Sequence, residues 1–257
     1  MNKLTNDIFT FIEQELMKTK LYFIRKAKAL FERFKLHVLI RPFESFLLNL
    51  VYLSKLSRWI SKNRSIEYND FYCSKVDYPK RTKMYEWLIE KEGLDKSIDY
   101  LEFGVAEGTA FKWWVEHNKN ADTRFYGFDT FTGLPEDFGV LKKNDYDTGG
   151  NFPDVKGDTR CQFKAGLFQD SLPGFLKEYR SENRKVIHMD ADLYSSTIFV
   201  LTQLVPFLNK EDIIIFDEFG VPMHEFRAFQ DFFNSFYMKF ELLSATNNYL
   251  QIAIKLV

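Results

Sequence analysis

The chain has 257 residues, enough for one α/β domain with an added segment or for two small domains, and its 46% hydrophobic content is that of a globular protein. The formal net charge of −1 hides a division. Residues 1–64 hold 13 Lys plus Arg against 5 Asp plus Glu, a balance of +8 that leaves −9 for residues 65–257, and so acidic a body argues against nucleic-acid binding. With only Cys73 and Cys161, and no C-x-x-C pair, a disulfide scaffold and a cysteine zinc site are excluded, and a reducing, cytoplasmic setting is expected.

Residues 6–35 place Ile8, Phe11, Ile12, Leu16, Phe23, Ile24, Ala27, Leu30, Phe31 and Phe34 at mostly helical spacing with Lys and Arg between them, which predicts one amphipathic helix or two. A further helix is expected from about Glu44 to Ser61, after Pro42. No secretory signal is read at the N-terminus. The most apolar stretch, residues 36–56, contains Arg41, Pro42 and Glu44 and falls short of a spanning segment, so it is expected to lie on a membrane surface or to pair two copies of the chain. The polar "SKNRSIEYND" reads as a linker, which gives a helical extension over residues 1–75 and a second domain over 76–257.

From residue 80 the pattern alternates. A helix in "KRTKMYEWLIEKEG" precedes the strand "SIDYLEFG", the helix "TAFKWWVEHN" and the strand "TRFYGFD". Gly133 to Thr159 is one long polar loop, a length typical of lids and binding segments. Then come "CQFKAGLF", "SLPGFLKEYR", "KVIHMD", "STIFVLTQLVPFL", "DIIIFDEF" and "EFRAFQDFFNSF", again strand and helix in turn, and two closing strands, "FELLSA" and "YLQIAIKLV". Regular alternation implies right-handed crossovers and a parallel sheet covered on both faces. The closing pair is separated by "TNN", short enough for a hairpin, so the last strand should enter antiparallel. That order predicts a Rossmann-like class I S-adenosylmethionine (SAM) methyltransferase fold: a seven-stranded, mostly parallel sheet with an antiparallel last strand.

Ligands of such sheets bind beyond the carboxyl ends of the strands. There the first strand runs into "LEFGVAEGTA", where Gly104 and Gly108 permit a tight turn close to a ligand and Glu102 can meet a cationic group or a hydroxyl. The middle glycine of a dinucleotide fingerprint is missing, which disfavours a nicotinamide oxidoreductase. A tight turn with no ligand is the plain alternative. Asp129 ends the second strand some 25 residues after Gly104, near the spacing at which an acid takes a ribose diol, or else simply caps a turn.

Together "YLEFGVAEGTAFKWW", "RFYGFDTFTGLPEDF", "HMDADLYSST" and "IIIFDEF" followed by "HEFRAFQDFF" resemble the macrocin O-methyltransferase (TylF-like) family of class I SAM-dependent methyltransferases, whose known members methylate sugar hydroxyls of natural products. The resemblance covers roughly residues 80–257. It implies SAM as cofactor, with Glu102, Gly104, Gly108, Asp129, Phe131 and Asp170 as candidate contacts, and a small-molecule or glycan acceptor. Metal-dependent members use a carboxylate cluster, and the matching positions are Asp190, Asp217 and Glu218, with Asp192 beside them.

Asp190 and Asp192, two apart after an extended run, should point to one side and converge on the cleft, with Asp217 and Glu218 on the neighbouring strand. Three or four such oxygens suit a hard divalent cation, Mg2+ first, which would lower the pKa of the acceptor hydroxyl. Two other readings stay open: acids that only begin a loop and favour a helix N-terminus, or a metal-free general base. Asp190 and His224 are the candidate catalytic groups; His188 is expected to be a satisfied core residue, and Ser195, Ser196 and Thr197 to cap the next helix. The competing function is a membrane-peripheral or oligomeric scaffold that keeps the fold without the reaction. For an enzyme, the partners expected besides the acceptor are a second copy of the chain and a lipid surface at the N-terminal helices.

Overall fold

A computed structural model describes residues 2–257, with side chains from residue 9 onward; Ile8, part of the expected apolar stripe, lies outside the described side chains. The chain divides into two units, residues 1–51 and 52–257. The first holds α1 (Asn2–Arg33), the short α2 (His37–Ile40), a single 3-10 turn at Arg41–Phe43 that carries Pro42, and the start of α3 (Glu44–Lys62). Every described residue of this unit is part of a helix or its connecting turn, and its described apolar side chains are exposed.

The second unit is an eight-stranded sheet flanked by helices. In chain order it contains β1 (Tyr68–Asn69), α4 (Lys80–Glu92), β2 (Ile98–Phe103), α5 (Thr109–His117), β3 (Arg124–Asp129), β4 (Cys161–Ala165), α6 (Phe168–Glu178), β5 (Arg184–Met189), α7 (Tyr194–Leu204), β6 (Ile213–Phe216), α8 (Glu225–Phe236), β7 (Phe240–Thr246) and β8 (Gln251–Leu256). The strand order is β1-β7-β8-β6-β5-β2-β3-β4. Only β8 runs antiparallel, between β6 and β7, as the short closing hairpin predicts. The order reverses at β2 and β5, so the carboxyl ends of these strands open the crevice where a ligand sits.

Alternation along β2 divides the core: Leu101 and Phe103 pack on one face with α6, α7 and α8, while Ile98 and Tyr100 pack on the other with α4 and α5. The second half of α3 belongs to the first of these layers, where the Trp59 ring meets Phe229 and Tyr249 edge-on and Phe219 at a tilt.

The sheet has eight strands where seven were expected. The extra strand, β1, pairs in parallel with β7 through Tyr68 and Asn69, two residues too few to show any periodicity. It lies in the stretch read as a linker, and the second unit accordingly begins well before residue 76. That stretch is tied to the hairpin turn. Asn247, Asn248 and Tyr249 all adopt left-handed φ, and their side chains hold the strap: Asn248 Oδ1 accepts from Cys73 N, Asn247 Oδ1 from Asp77 N, and the Tyr249 hydroxyl bonds Asn63 and Asn69.

Candidate active site

The turn after β2 is shaped by contact as much as by flexibility. Gly104 has φ +98°, and a Cβ there would fall 1.8 Å from the carbonyl oxygen of Asp190. The backbone of this turn therefore lies directly against the backbone that follows β5, a close approach open only to glycine. Gly108, at φ +75°, precedes α5. Asp129, at the end of β3, accepts from Ala106 N at 2.8 Å and from Phe131 N at 2.7 Å, so one carboxylate fixes two loops. Around these groups opens a cleft of about 610 Å3, lined by Glu102, Gly104 to Glu107, Asp129, Thr130 and Gln169 on one side and by Tyr78, Arg81, Tyr146, Asp190, Asp192, Asp217 and Glu218 on the other.

The second group is an acid cluster. Asp190 and Asp192 both reach the cleft, but by a turn and not by an extended run: Asp192 adopts φ +56° and Leu193 N–H donates to Ala191 O. Asp217 follows β6, and its Oδ2 accepts from Arg81 Nη1 at 2.9 Å, with Asp190 Oδ2 3.8 Å from the same nitrogen. Burial and the charge of Asp217 push the Asp190 carboxyl well above the ordinary carboxylate range. The same two causes raise Asp192 to about 7 and Glu218 to about 8. Asp217 takes the opposite direction. Burial would raise it too, but His188 and Arg81 hold it in the charged form.

Behind the cluster lies a buried network on β2 and β5. The Tyr100 hydroxyl bridges Glu102 and His188 Nδ1, the latter at 2.8 Å, and Tyr85 OH stands 3.3 Å from His188 Nε2. Burial alone would lower the His188 pKa, but the charges of Asp217 and Glu102, each 3.7 Å away, raise it to about 9. His188 is a partnered interior residue, and its ring steadies the acids from below.

A cation fits this arrangement. One ligand atom each from His188, Asp190 and Asp217 lie within 4.8 Å of one another. Asp217 Oδ1 is buried without a hydrogen-bond partner, an unmet acceptor among crowded carboxylates. Carboxylate oxygens in excess of nearby positive charge are the donor set of a hard divalent ion.

Of the residues singled out in the sequence, Glu102, Gly104, Asp129, Asp190, Asp192, Asp217 and Glu218 line the cleft. Others do not. His224 does not line it: its ring meets Phe138 edge-on at 4.8 Å, its Nδ1 is 3.4 Å from Tyr194 N, and burial lowers its pKa. Asp170 sits exposed in the first turn of α6, one residue beyond the lining Gln169, and Gly108 meets Pro153 instead of the cleft. Phe131 is fully buried against Phe152 and Phe163, under the turn and not in it. Ser195 and Ser196 do line the cleft, but with Thr197 they lie inside α7, whose N-cap is Leu193 without a side-chain cap, and Ser195 donates to Glu136 of the long loop. Arg81 and Tyr78, which donates to Glu218 at 3.3 Å, were not found by sequence reasoning. They precede the first strand of the pattern, and nothing in "YPKRTK" sets one basic residue apart from its neighbours.

Residues 151–244 match the macrocin O-methyltransferase (TylF) family. Over that stretch the chain is TylF-like. The matched region contains the acid cluster but not the Gly104 turn or Asp129. A curated relative, the mycinamicin III 3''-O-methyltransferase of Micromonospora griseorubida, is 26% identical over 117 residues, which are 44% of this chain and 42% of the relative, so the match spans less than half of either. The chain also shares its fold with solved structures. A calicheamicin methyltransferase aligns with TM-score 0.54 and 21% identity over 68% of this chain and 78% of that one. The O-methyltransferase NovP aligns with TM-score 0.52 and 22% identity over 68% and 79%. The fold is thus that of class I O-methyltransferases.

Proposed function

We propose that the chain is a SAM-dependent O-methyltransferase assisted by a divalent cation, acting on a hydroxyl of a sugar or a related small glycan acceptor. The observation that carries this reading is the shared wall between Gly104 and Asp190, which joins a turn suited to the cofactor to four carboxylates in one cleft. The TylF-like match supports the reaction class, and the rim of Tyr78, Tyr146, Glu136 and Ser195 offers the polar and aromatic surface a sugar needs.

SAM fits the first half of the cleft. Asp129 faces it with lone pairs left over for a diol, and Glu102 brings a buried negative charge suited to a sulfonium compound with an amino-acid tail. Bound there, the cofactor supplies an electrophilic methyl group, and a divalent ion held by Asp190 and Asp217, with Asp192 and Glu218 beside them, would lower the pKa of the acceptor hydroxyl. The chain's own residues do the rest. Asp217, kept charged by Arg81 and His188, orients the acceptor; Asp190, whose carboxyl binds a proton more readily than an ordinary one, takes up the proton of the acceptor hydroxyl as its oxygen bonds to the methyl carbon and the bond from that carbon to sulfur breaks. The loop from Gly133 to Tyr146 shields the site from water, with Leu134, Pro135 and Glu136 in its wall.

Calorimetric titration of SAM and S-adenosylhomocysteine, with and without Mg2+, tests the cofactor assignment, and turnover on nucleotide-linked or antibiotic sugars tests the acceptor. Micromolar binding of both ligands is the expected result. Binding of neither overturns the enzyme reading.

A further inference from the structure

We infer that the N-terminal helical unit binds the surface of an anionic lipid bilayer, lying in its plane. This goes beyond the reaction and rests on different residues.

All of Phe9–Arg33 is exposed, a length of helix that has no covering partner within the described residues of its own unit. Phe9, Ile12, Leu16, Phe23, Leu30 and Phe34 recur at spacings of three, four and seven and so share one side of the helix, with Phe9, Phe23 and Phe34 each more than 60% exposed. By the same periodicity Lys18 and Arg25 fall opposite this stripe, and Lys26 and Arg33 lie along its flank. A helix of this length with an uncovered apolar stripe is held by something that covers the stripe, because propensity alone sustains it poorly in water.

Charge identifies the cover. Residues 1–51 carry nine Lys plus Arg against five Asp plus Glu, a balance of +4. Two copies pairing through this face would bring two such segments together, whereas an anionic headgroup layer complements both the apolar stripe and its cationic flanks. Crossing the bilayer is disfavoured: no single helix among the described residues is long and apolar enough, and the bent pair Phe9–Arg33 and His37–Lys62 would place Lys35 in its 75° break and Arg41 and Glu44 within its second segment. In the plane, α1 buries Phe and Leu between acyl chains while its lysines stay among the phosphates.

The full-length protein should be floated with vesicles of phosphatidylcholine alone and with added phosphatidylglycerol, at low and high salt, and its oligomeric state measured by light scattering. The expected result is flotation with the anionic vesicles that weakens in high salt. Replacing Lys18, Arg25 and Lys26 with Gln should reduce the partition on the order of a hundredfold. Replacing Phe23 and Leu30 with Ser should also abolish flotation, with circular dichroism and cofactor binding unchanged because all five positions are exposed. No flotation with anionic vesicles overturns the proposal, as does flotation indifferent to both sets of substitutions. A stable dimer that is lost with Phe23→Ser and Leu30→Ser, in a protein that ignores vesicles, overturns it in favour of self-association.

Discussion

Arg81 on α4 reaches Asp217 at the end of β6 across 2.9 Å, joining two groups 136 residues apart in the chain. The guanidinium is about one-sixth exposed and the carboxylate almost not at all, and together with His188 the guanidinium holds Asp217 in its charged form. Removing one partner of such a pair leaves an uncompensated charge and costs about 3–5 kcal/mol. Arg81→Met should lower unfolding free energy by that amount in denaturant titrations, and millimolar Mg2+ should restore part of it, since a cation in the cluster takes over the same role. An Arg81→Met protein as stable as the parent would show that the pair contributes nothing.

Gly104 separates the cofactor turn from the acid loop with no space to spare. Gly104→Ala sets a methyl group 1.8 Å from Asp190 O at a φ of +98°, so either the turn or the acid loop must move. The expected outcome is loss of SAM affinity of at least tenfold together with a lowered melting temperature. Retention of both would mean that the two backbones are less tightly apposed than the geometry states.

Asp190 is assigned to the proton and Asp129 to the cofactor, and the two are separable by kinetics. Asp190→Ala should reduce kcat by about a hundredfold or more while S-adenosylhomocysteine affinity changes little. Asp129→Ala should do the reverse at saturating acceptor, raising the KM for SAM. If Asp190→Ala remained fully active, neither its role in proton uptake nor its place beside a cation would stand.

Glu92 anchors the end of α4, accepting from Arg184 Nη2 at 2.7 Å and from Lys255 Nζ at 3.2 Å. Burial would raise its carboxyl, but these two bonds outweigh that and hold it below the ordinary value of 4.5. The folded pKa is therefore the lower one. Its stabilising contribution is complete above the unfolded value of about 4.5 and disappears as pH falls through the folded one. Glu92→Gln should cost about 1–3 kcal/mol at neutral pH, with the difference from the parent shrinking below about pH 4. A difference that stays constant down to pH 3 would assign the loss to packing.

Much of this was legible in the sequence where one local pattern decides the outcome. The seven long strands showed in their apolar runs, the antiparallel β8 in the brevity of its hairpin, and the acid cluster in its position after two such runs. Legibility ended where a contact depends on distant chain. Arg81 has the same local pattern as Lys80 and Lys83 on its helix, and only the packing of α4 against β2 and β6 selects it. Asp170 and His224 illustrate the converse: each lies near the right strand end, but a helical residue one position from Gln169 faces away, and His224 turns toward Phe138. β1 was invisible because its two residues carry no pattern of their own, and the turn at Asn247 and Asn248 ties down the segment that follows it at Cys73 and Asp77.

The position of β8 bears on how the chain is made. The ribosome delivers β6 and β7 before the strand that separates them, and each waits with an unpaired edge for residues 251–256. Those edges are rich in Ile, Phe and Leu, the composition most prone to pair with the wrong partner. A nascent chain halted before Gln251 has synthesised every candidate active-site residue and still cannot close the sheet that positions them, so the site is completed only when this strand emerges from the exit tunnel.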